Sequence, residues 1–185
     1  KGRAPKTGYT RDQYGPSWKD VDHNGCDTRN DILKRDLKDV TYKNGSKCVV
    51  ATGVLSPDPY TGKTINWSRG QETSSAVQID HILALSDAWQ KGSQQWSEAK
   101  RETFANDPLN LIAADGPANM AKGDGDTATW LPPYKPEWCS YVANQVAVKK
   151  KYGLWVTQAE KDKMVEVLQS CPNQTLPSGG LPVPN

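Results

Sequence analysis

The apolar positions in the last third of the chain follow the period of an amphipathic helix. Trp138, Val142 and Val146 recur at intervals of four residues, which places three apolar side chains on one face. This spacing predicts a helix over about 137–152 that ends before Gly153, since glycine commonly follows the last turn of a helix.

A second amphipathic helix is predicted to begin after Thr157. Glu160 stands three residues later, and the pair forms a capping box, in which two side chains satisfy free backbone N–H groups at the start of a helix. Met164, Val167 and Leu168 form the apolar face that this helix would bury.

Shorter patterned segments before these helices predict a mixture of helices and strands. A capping box from Thr28 to Asp31 predicts the start of the first helix, and alternating apolar and polar residues over 77–82 predict a strand. The predicted elements of this region are helices over 28–39, 84–90, 97–106 and 118–122 and strands over 47–55, 77–82 and 109–113. The predicted fold class is therefore α+β, a helix-rich single domain with a small β element.

The composition indicates a folded domain rather than a disordered chain. The 185 residues include seven Trp and seven Tyr, and a chain of this length can bury a sizeable core. We expect the folded domain to span 9–171, with a loose segment over 1–8 and a Pro/Gly-rich tail over 172–185. No apolar stretch approaches the roughly 20 residues that cross a bilayer, which argues against a membrane protein.

Four cysteines without CxxC spacing favour two disulfides over a zinc site. Three pairings are open. We favour Cys26–Cys48 and Cys139–Cys171, because each pair closes a short loop within one half of the chain, and a loop of this size stabilises the fold by about 3 kcal/mol. Four free, buried thiols in a cytosolic protein are the alternative. The cysteine pattern thus predicts a secreted, extracellular protein.

The charge balance predicts weak binding to any polyanion. The formal net charge is only +2, although the first 50 residues carry 11 basic and 7 acidic side chains. A nucleic acid would be held by a few phosphate contacts, and its binding would weaken as salt is added.

The main candidate for chemistry is the adjacent pair Asp80 and His81 at the end of a predicted strand. His23 is the only other histidine, so acid–base catalysis by an imidazole has two positions to choose from. A carboxylate beside a general base suits metal-assisted hydrolysis, because the carboxylate can hold a hard cation while the imidazole takes a proton from water. A solvent-exposed pair without a catalytic role is the alternative.

The segments around and after this pair resemble the HNH endonuclease motif, a ββα-metal finger. The resemblance lies in IDHILALSDAW (79–89), FANDPLNLIAADG (104–116) and PANMAKGDGD (117–126). The three motif positions correspond to His81, Asn110 and Asn119, and the last has Asn in place of the His that names the motif.

The similarity extends beyond the finger. GYTRD (8–12), CDTRNDILKRDL (26–37) and WLPP (130–133) resemble motifs of secreted bacterial and fungal DNases of the HNH family, so the similarity covers about 8–171. Ala84 stands where many relatives have Pro, and Met120-Ala121 stand where some have Arg-Ser. Loss of that Arg would weaken a phosphate contact near the metal, whereas neither change touches the core chemistry.

The resemblance implies a role for each motif residue. Asp80 and Asn119 would ligate one divalent cation, with Mg²⁺ favoured and Mn²⁺ as the alternative, because both donors are hard oxygens. His81 would be the general base that activates water, and Asn110 would orient His81 by a hydrogen bond. Lys122, one helical turn beyond Asn119, would contact phosphate. The products would carry 5′-phosphates.

Purely structural alternatives stay open for the residues around His81. Asn110 could bond backbone groups at a strand end, Asn119 could cap a turn, and Lys122 could complement the C-terminal end of a helix. Arg11 and Arg29 are further candidates for phosphate contacts, although an arginine beside an aspartate is more often part of a structural ion pair.

A second metal candidate lies before the first helix. Asp20, Asp22 and Asn24 match the start of a calcium loop, and Asp31 stands at the position where such a loop usually has Glu. Ca²⁺ would be the cation at this site. We favour the alternative, an Asp/Asn/Gly turn that leads into a capped helix, with His23 exposed in that turn.

These patterns together predict a secreted, metal-dependent, sequence-nonspecific endonuclease that acts as a monomer on DNA, with RNA as the alternative substrate. A different class of protein stays open, a secreted carbohydrate- or calcium-binding module without catalysis, in which Trp67, Trp89 and Trp96 would stack on sugars. A third interpretation is a toxin domain of the same nuclease class, which would need a dedicated inhibitor.

Overall fold

Two small antiparallel sheets and six helices make up the structure, a computed structural model that describes all 185 residues. The helices are α1 Thr28–Asp36, α2 Leu85–Trp89, α3 Glu98–Asn106, α4 Gly116–Lys122, α5 Trp138–Tyr152 and α6 Gln158–Gln169. The strands are β1 Lys38–Tyr42, β2 Val50–Leu55, β3 Ile65–Ser68, β4 Val77–His81 and β5 Leu111–Asp115. The predicted α+β class is confirmed. None of the helices is both long and apolar enough to span a membrane.

Strands β4 and β5 pair with each other, and α4 follows β5 directly and packs against both strands. The side chain of Asp115 accepts a hydrogen bond from the Ala118 amide, which starts α4 at the end of β5. Gly116 is required at this junction, because a Cβ there would lie 2.0 Å from the carbonyl oxygen of Ser75. A strand–strand–helix unit results.

The second sheet has the order β1-β2-β3, and α1 packs both on β2 and on the pair β4–β5. Apolar side chains of α1, both sheets and their connections share one core, which includes Ile32, Leu33, Val50, Trp67, Val77 and Leu111. The disulfide Cys26–Cys48 joins the segment before α1 to the segment before β2. It therefore fastens this core on the side where α1 begins.

Helices α5 and α6 pack together and close the other side of the domain. The predicted capping box is present, with Thr157 and Glu160 each satisfying the other's backbone N–H at the start of α6. The disulfide Cys139–Cys171 joins the start of α5 to the segment after α6. Both disulfides thus join the pairs that the sequence favours.

The first helix differs from its prediction at both ends. Asp27, not Thr28, caps it by accepting from the Asn30 amide, because the Thr28 hydroxyl donates instead to the carbonyl oxygen of Lys19. The helix ends at Asp36, and the next residues form β1, so the prediction over 28–39 is too long. Strands β1 and β3 were not predicted, since both are short and carry few buried residues.

The terminal segments, predicted to be loose, contact the body of the domain at several points. The amide of Ala4 donates to the carbonyl oxygen of Gln90, and the guanidinium of Arg3 pairs with buried carboxylates. Near the other end, the ammonium of Lys151 donates to the carbonyl oxygen of Gly179. Both segments therefore lie along the domain in this structure.

Candidate active site

A cavity of about 410 Å³ opens at the end of β4, between α2, α4 and the segment that precedes α1. Four residues singled out from the sequence line it, namely Arg11, Asp80, His81 and Asn119. Asp80 and His81 are neighbours in β4, yet both reach the same cavity, because the strand ends at His81. The strand–strand–helix unit thus brings Asp80 and His81 together with Asn119, and the segment before α1 adds Arg11.

Asp80 is buried, and only one of its carboxylate oxygens is occupied. Oδ2 accepts hydrogen bonds from the hydroxyl of Tyr60 and from the ammonium of Lys122, whose Nζ lies 2.8 Å away. Lys122 is itself buried and also donates to the carbonyl oxygen of His81 at 2.6 Å. The other oxygen, Oδ1, makes no hydrogen bond within the protein and stays available to a ligand.

Asn119 lies on α4 and likewise keeps one oxygen free. Its Nδ2 donates to Oε1 of Gln78 on β4 at 2.8 Å, which fixes the amide group and leaves Oδ1 without a partner. Carboxylate and amide oxygens are the donors that Mg²⁺ takes from proteins, usually one or two at a time with waters completing its shell. Asp80 and Asn119 therefore fit such a cation. No group of three or more His, Cys, Asp or Glu side chains is arranged to hold a metal.

The imidazole of His81 is held on one edge and on one face. Its Nε2 lies 2.8 Å from the carbonyl oxygen of Ala105, and the indole of Trp18 stacks on its ring. Since a carbonyl only accepts, Nε2 carries the proton and Nδ1 has the free lone pair. Burial, together with the charges of Arg11 and Lys122, lowers the pKa of His81 to about 3, although the bond to Ala105 acts in the opposite direction. The ring is thus neutral at neutral pH.

Asn110 is fully buried beside the cavity and binds backbone groups. Its Oδ1 accepts from the Leu83 amide at 2.8 Å, and its Nδ2 donates to the Leu83 carbonyl oxygen at 3.1 Å. These bonds fix the segment that joins β4 to α2. The resemblance implies a hydrogen bond between Asn110 and the His81 ring, but the ring donates instead to the backbone carbonyl oxygen of Ala105.

The structure separates the three basic candidates. Arg11 lines the cavity, and its Nη2 is buried without a hydrogen-bond partner, while Nη1 donates to the carbonyl oxygen of Gly15. Arg29 lies 6.0 Å from the ring centre of Trp67 and does not line the cavity. Lys122 is occupied by Asp80. Only Arg11 therefore has donor capacity left over within the cavity.

The segment that matches a calcium loop is closed by its own hydrogen bonds. The carboxylate of Asp20 accepts from the amides of Asn24 and Gly25, and Asp22 also accepts from the Asn24 amide. The side chain of Asn24 donates to Asp31 at 2.8 Å. These contacts are those of an Asx turn that leads into α1.

Three residues at the cavity were not found by sequence reasoning. Tyr60 reaches Asp80 from a distant turn, Trp18 reaches His81 from the segment before α1, and Ala105 acts only through its carbonyl group. Tyr60 carries a hydroxyl group that needs a hydrogen-bond partner once it is buried, but the sequence shows neither its burial nor its partner. The carbonyl oxygen of Ala105 belongs to the backbone, so the order of side chains in the sequence does not indicate its role.

Two comparisons with known proteins found similarity over most of the chain. A family model described as the C-terminal domain of GmrSD restriction endonucleases matches residues 27–167. An uncharacterized secreted protein of Arthroderma benhamiae is 38% identical over 171 residues, which cover 91% of this chain and 78% of the relative. The secreted relative and the two disulfides identify the protein as secreted and extracellular, as the cysteine pattern predicted.

Proposed function

The chain belongs to the family of the C-terminal domain of GmrSD restriction endonucleases, and from this membership we propose that it is a secreted, metal-dependent endonuclease that hydrolyses DNA. The observation that carries the proposal is the cavity at the end of β4, where Asp80, His81 and Asn119 meet. The unit β4–β5–α4 supports it, because its elements follow the order of the ββα-metal finger that the sequence resembles.

His81 is the general base of the proposed reaction. Its Nδ1 accepts a proton from a water molecule, and the oxygen of that water forms the new bond to phosphorus. The bond between phosphorus and the 3′ oxygen breaks, and the departing oxygen takes a proton from solvent. The phosphate therefore remains on the 5′ end of the downstream fragment. The hydrogen bond from Nε2 to Ala105 supports this role, because it leaves the lone pair of Nδ1 free to accept that proton.

Asp80 and Asn119 would hold the divalent cation through the two oxygens that have no partner within the protein. Two hard donors suit Mg²⁺, with Mn²⁺ as the alternative. When bound, the cation stabilises negative charge on the phosphate and on the leaving oxygen. Lys122 holds the occupied oxygen of Asp80 in place.

Two further residues have roles in the proposed reaction: Arg11 contacts the substrate, and Asn110 positions the base. Arg11 lines the cavity and donates to a phosphate oxygen through its guanidinium group, in which Nη2 has no partner within the protein. Asn110 fixes the segment after His81, and so it acts on the base through the backbone. Because the proposed contacts are with phosphate, which is identical for every base sequence, cleavage is not sequence-specific.

The alternative of a carbohydrate-binding module finds no support in the placement of the tryptophans. Trp67 and Trp89 are buried in the core. Trp96 packs against Phe104, with ring centres 5.5 Å apart. None of these three rings lines the cavity.

Plasmid digestion by the purified protein tests the proposal, with Mg²⁺ and with EDTA, beside the variants His81→Ala and His23→Ala. His23 is the matched control, because it is the other histidine and lies exposed outside the cavity. We expect cleavage that needs Mg²⁺, that is lost in His81→Ala and that is retained in His23→Ala. An intact plasmid with Mg²⁺, Mn²⁺ and Ca²⁺ would exclude DNA, and RNA would be tested next. Equal loss in both variants would remove His81 as the base.

A further inference from the structure

Trp18 covers one face of the His81 imidazole. The two ring centres lie 5.6 Å apart and the ring planes differ by only 8°. Trp18 lines the cavity and also packs against the core beneath α1. Its indole therefore bridges the apolar interior and the proposed catalytic base.

The backbone of Trp18 is held in a conformation that a bulky residue rarely adopts. Its φ is +58°, in the left-handed region that favours glycine. The carbonyl oxygen of Trp18 accepts from the amide of Thr28 at 3.1 Å, and the Thr28 hydroxyl donates to the carbonyl oxygen of Lys19 at 2.6 Å. The first turn of α1 thus keeps the indole over His81 despite the unfavourable backbone.

A single hydrogen bond does not define the orientation of an imidazole ring. The contact between Nε2 and the carbonyl of Ala105 fixes one atom but leaves the ring free to turn about that bond. A parallel indole on its face removes this freedom, because turning the ring would break the stacking contact. Ala105 belongs to α3 and Trp18 to the segment before α1, so two separate parts of the chain define the ring plane.

We propose that Trp18 is a positioning residue for His81, which fixes the plane of the imidazole and thereby keeps Nδ1 as the nitrogen that faces the reacting water. The effect of Trp18 on catalysis rests on the proposed function, whereas the orientation of the His81 ring can be measured without any activity. Trp18 acts through His81 in this proposal and forms no bond with the substrate.

The first measurement is nuclear magnetic resonance of the ¹⁵N-labelled protein at neutral pH, where the exposed His23 serves as an internal reference. We expect two well-separated ring nitrogen resonances for His81, as a single fixed tautomer requires, and carbon-bound ring protons shifted upfield by the indole. His23 should show averaged nitrogen resonances and no such shift. If His81 resembles His23 in the unmodified protein, the proposal is wrong, and no variant is needed for that conclusion.

Variants then separate positioning from packing. Trp18→Ala removes the indole, Trp18→Phe restores a flat aromatic face, and Trp96→Ala is the control, since that ring packs on Phe104 and Tyr152 outside the cavity. We expect the Nε2-protonated tautomer in all three variants, because the contact with Ala105 remains. The nuclear Overhauser contacts that define the plane of the His81 ring should be lost in Trp18→Ala and kept in Trp18→Phe and Trp96→Ala. For DNA cleavage, kcat should fall roughly 10- to 100-fold in Trp18→Ala with KM within about twofold, and Trp18→Phe should recover most of it.

Each outcome decides one of the two proposals. A folded Trp18→Ala variant that keeps the ring plane of His81, or an equal loss of kcat in Trp96→Ala, overturns the positioning role. A ring orientation that depends on Trp18, in a protein that cleaves neither DNA nor RNA, overturns the nuclease and leaves the contact between the two rings established.

Discussion

The ammonium of Lys122 lies 2.8 Å from the carboxylate of Asp80, and both side chains are withdrawn from solvent. The pair joins α4 to β4 across 42 residues of sequence, directly beside the oxygens proposed to hold the cation. A buried charge that loses its partner is costly, so this contact stabilises the unit. The same ammonium would repel the proposed cation. Lys122 should therefore affect stability and the proposed metal affinity in opposite directions.

Replacing Lys122 with Met should lower the free energy of unfolding by about 3 kcal/mol in EDTA, because Asp80 is left buried without its partner. Added Mg²⁺ should then raise the unfolding temperature more in the variant than in the unmodified protein. Thermal unfolding with and without Mg²⁺ measures both effects. Lys163→Met is the control, since that ammonium pairs with Glu166 on the surface. An identical response to Mg²⁺ in all three proteins would argue against a cation at Asp80.

Replacing Asn110 with Ala should cost about 2 kcal/mol of stability, because the buried amide and carbonyl of Leu83 lose their partners. We also expect a lower kcat, since the segment after His81 is no longer fixed. Asn30→Ala is a matched control, because Asn30 is also buried and accepts from the Val50 amide, outside the cavity. Both variants should be compared where both are folded. A similar kcat in the two would leave Asn110 with a structural role only.

Replacing Arg11 with Ala should weaken DNA binding and reduce its salt dependence by about one phosphate contact. Arg29→Ala should leave the salt dependence unchanged, because Arg29 stacks near Trp67 and lies outside the cavity. Binding measured at several salt concentrations, with His81→Ala as the background to prevent cleavage, gives the slopes. Equal slopes for the two arginine variants would contradict this assignment of Arg11.

The acid stability of the domain should depend on Arg3. Burial raises the pKa of Asp126, but the hydrogen bond and charge of Lys91, with the charge of Arg3, lower it below its usual value. A carboxylate with a lowered pKa stabilises the fold above the unfolded-state pKa of about 3.9, and this contribution is lost as the pH falls through the folded-state pKa.

Arg3→Ala removes one of the charges that lower the pKa of Asp126. We expect it to cost about 1 kcal/mol at neutral pH, a modest value because Arg3 is partly exposed. The difference from the unmodified protein should shrink below about pH 4, where Asp126 becomes protonated in both. Urea unfolding across this pH range measures it. A difference that stays constant with pH would exclude this electrostatic origin.

Local patterns in the sequence predicted those parts of the fold that local physics determines. The capping box at Thr157 needs only residues three positions apart, and the strand over 77–82 follows from alternation that the core then buries. The first helix was predicted too long because Lys38 begins a strand whose pairing partner, Val54, lies 16 residues later. Propensity within one window does not contain that pairing.

The residues of the candidate site that belong to local motifs were predictable from the sequence, whereas their long-range partners were not. His81 and Asn119 belong to motifs that can be read along the chain, and the structure places them in one cavity. The partners of these residues come from far away in sequence. Trp18 lies 63 positions before His81, and Ala105 contributes only a backbone oxygen. Such contacts are created by the fold as a whole, and the residue types alone do not reveal them.

Cys26, which forms a disulfide with Cys48, lies two residues before Thr28. The amide of Thr28 donates to the carbonyl oxygen of Trp18 and so holds the segment that carries the indole. In a compartment where thiols stay reduced, the disulfide does not form and Thr28 loses this covalent support. We therefore expect the position of Trp18 in the cavity to depend on oxidation of Cys26 and Cys48. The cavity would then reach its final structure only after export. A cell that makes this protein would in this way keep the proposed nuclease activity away from its own chromosome until export.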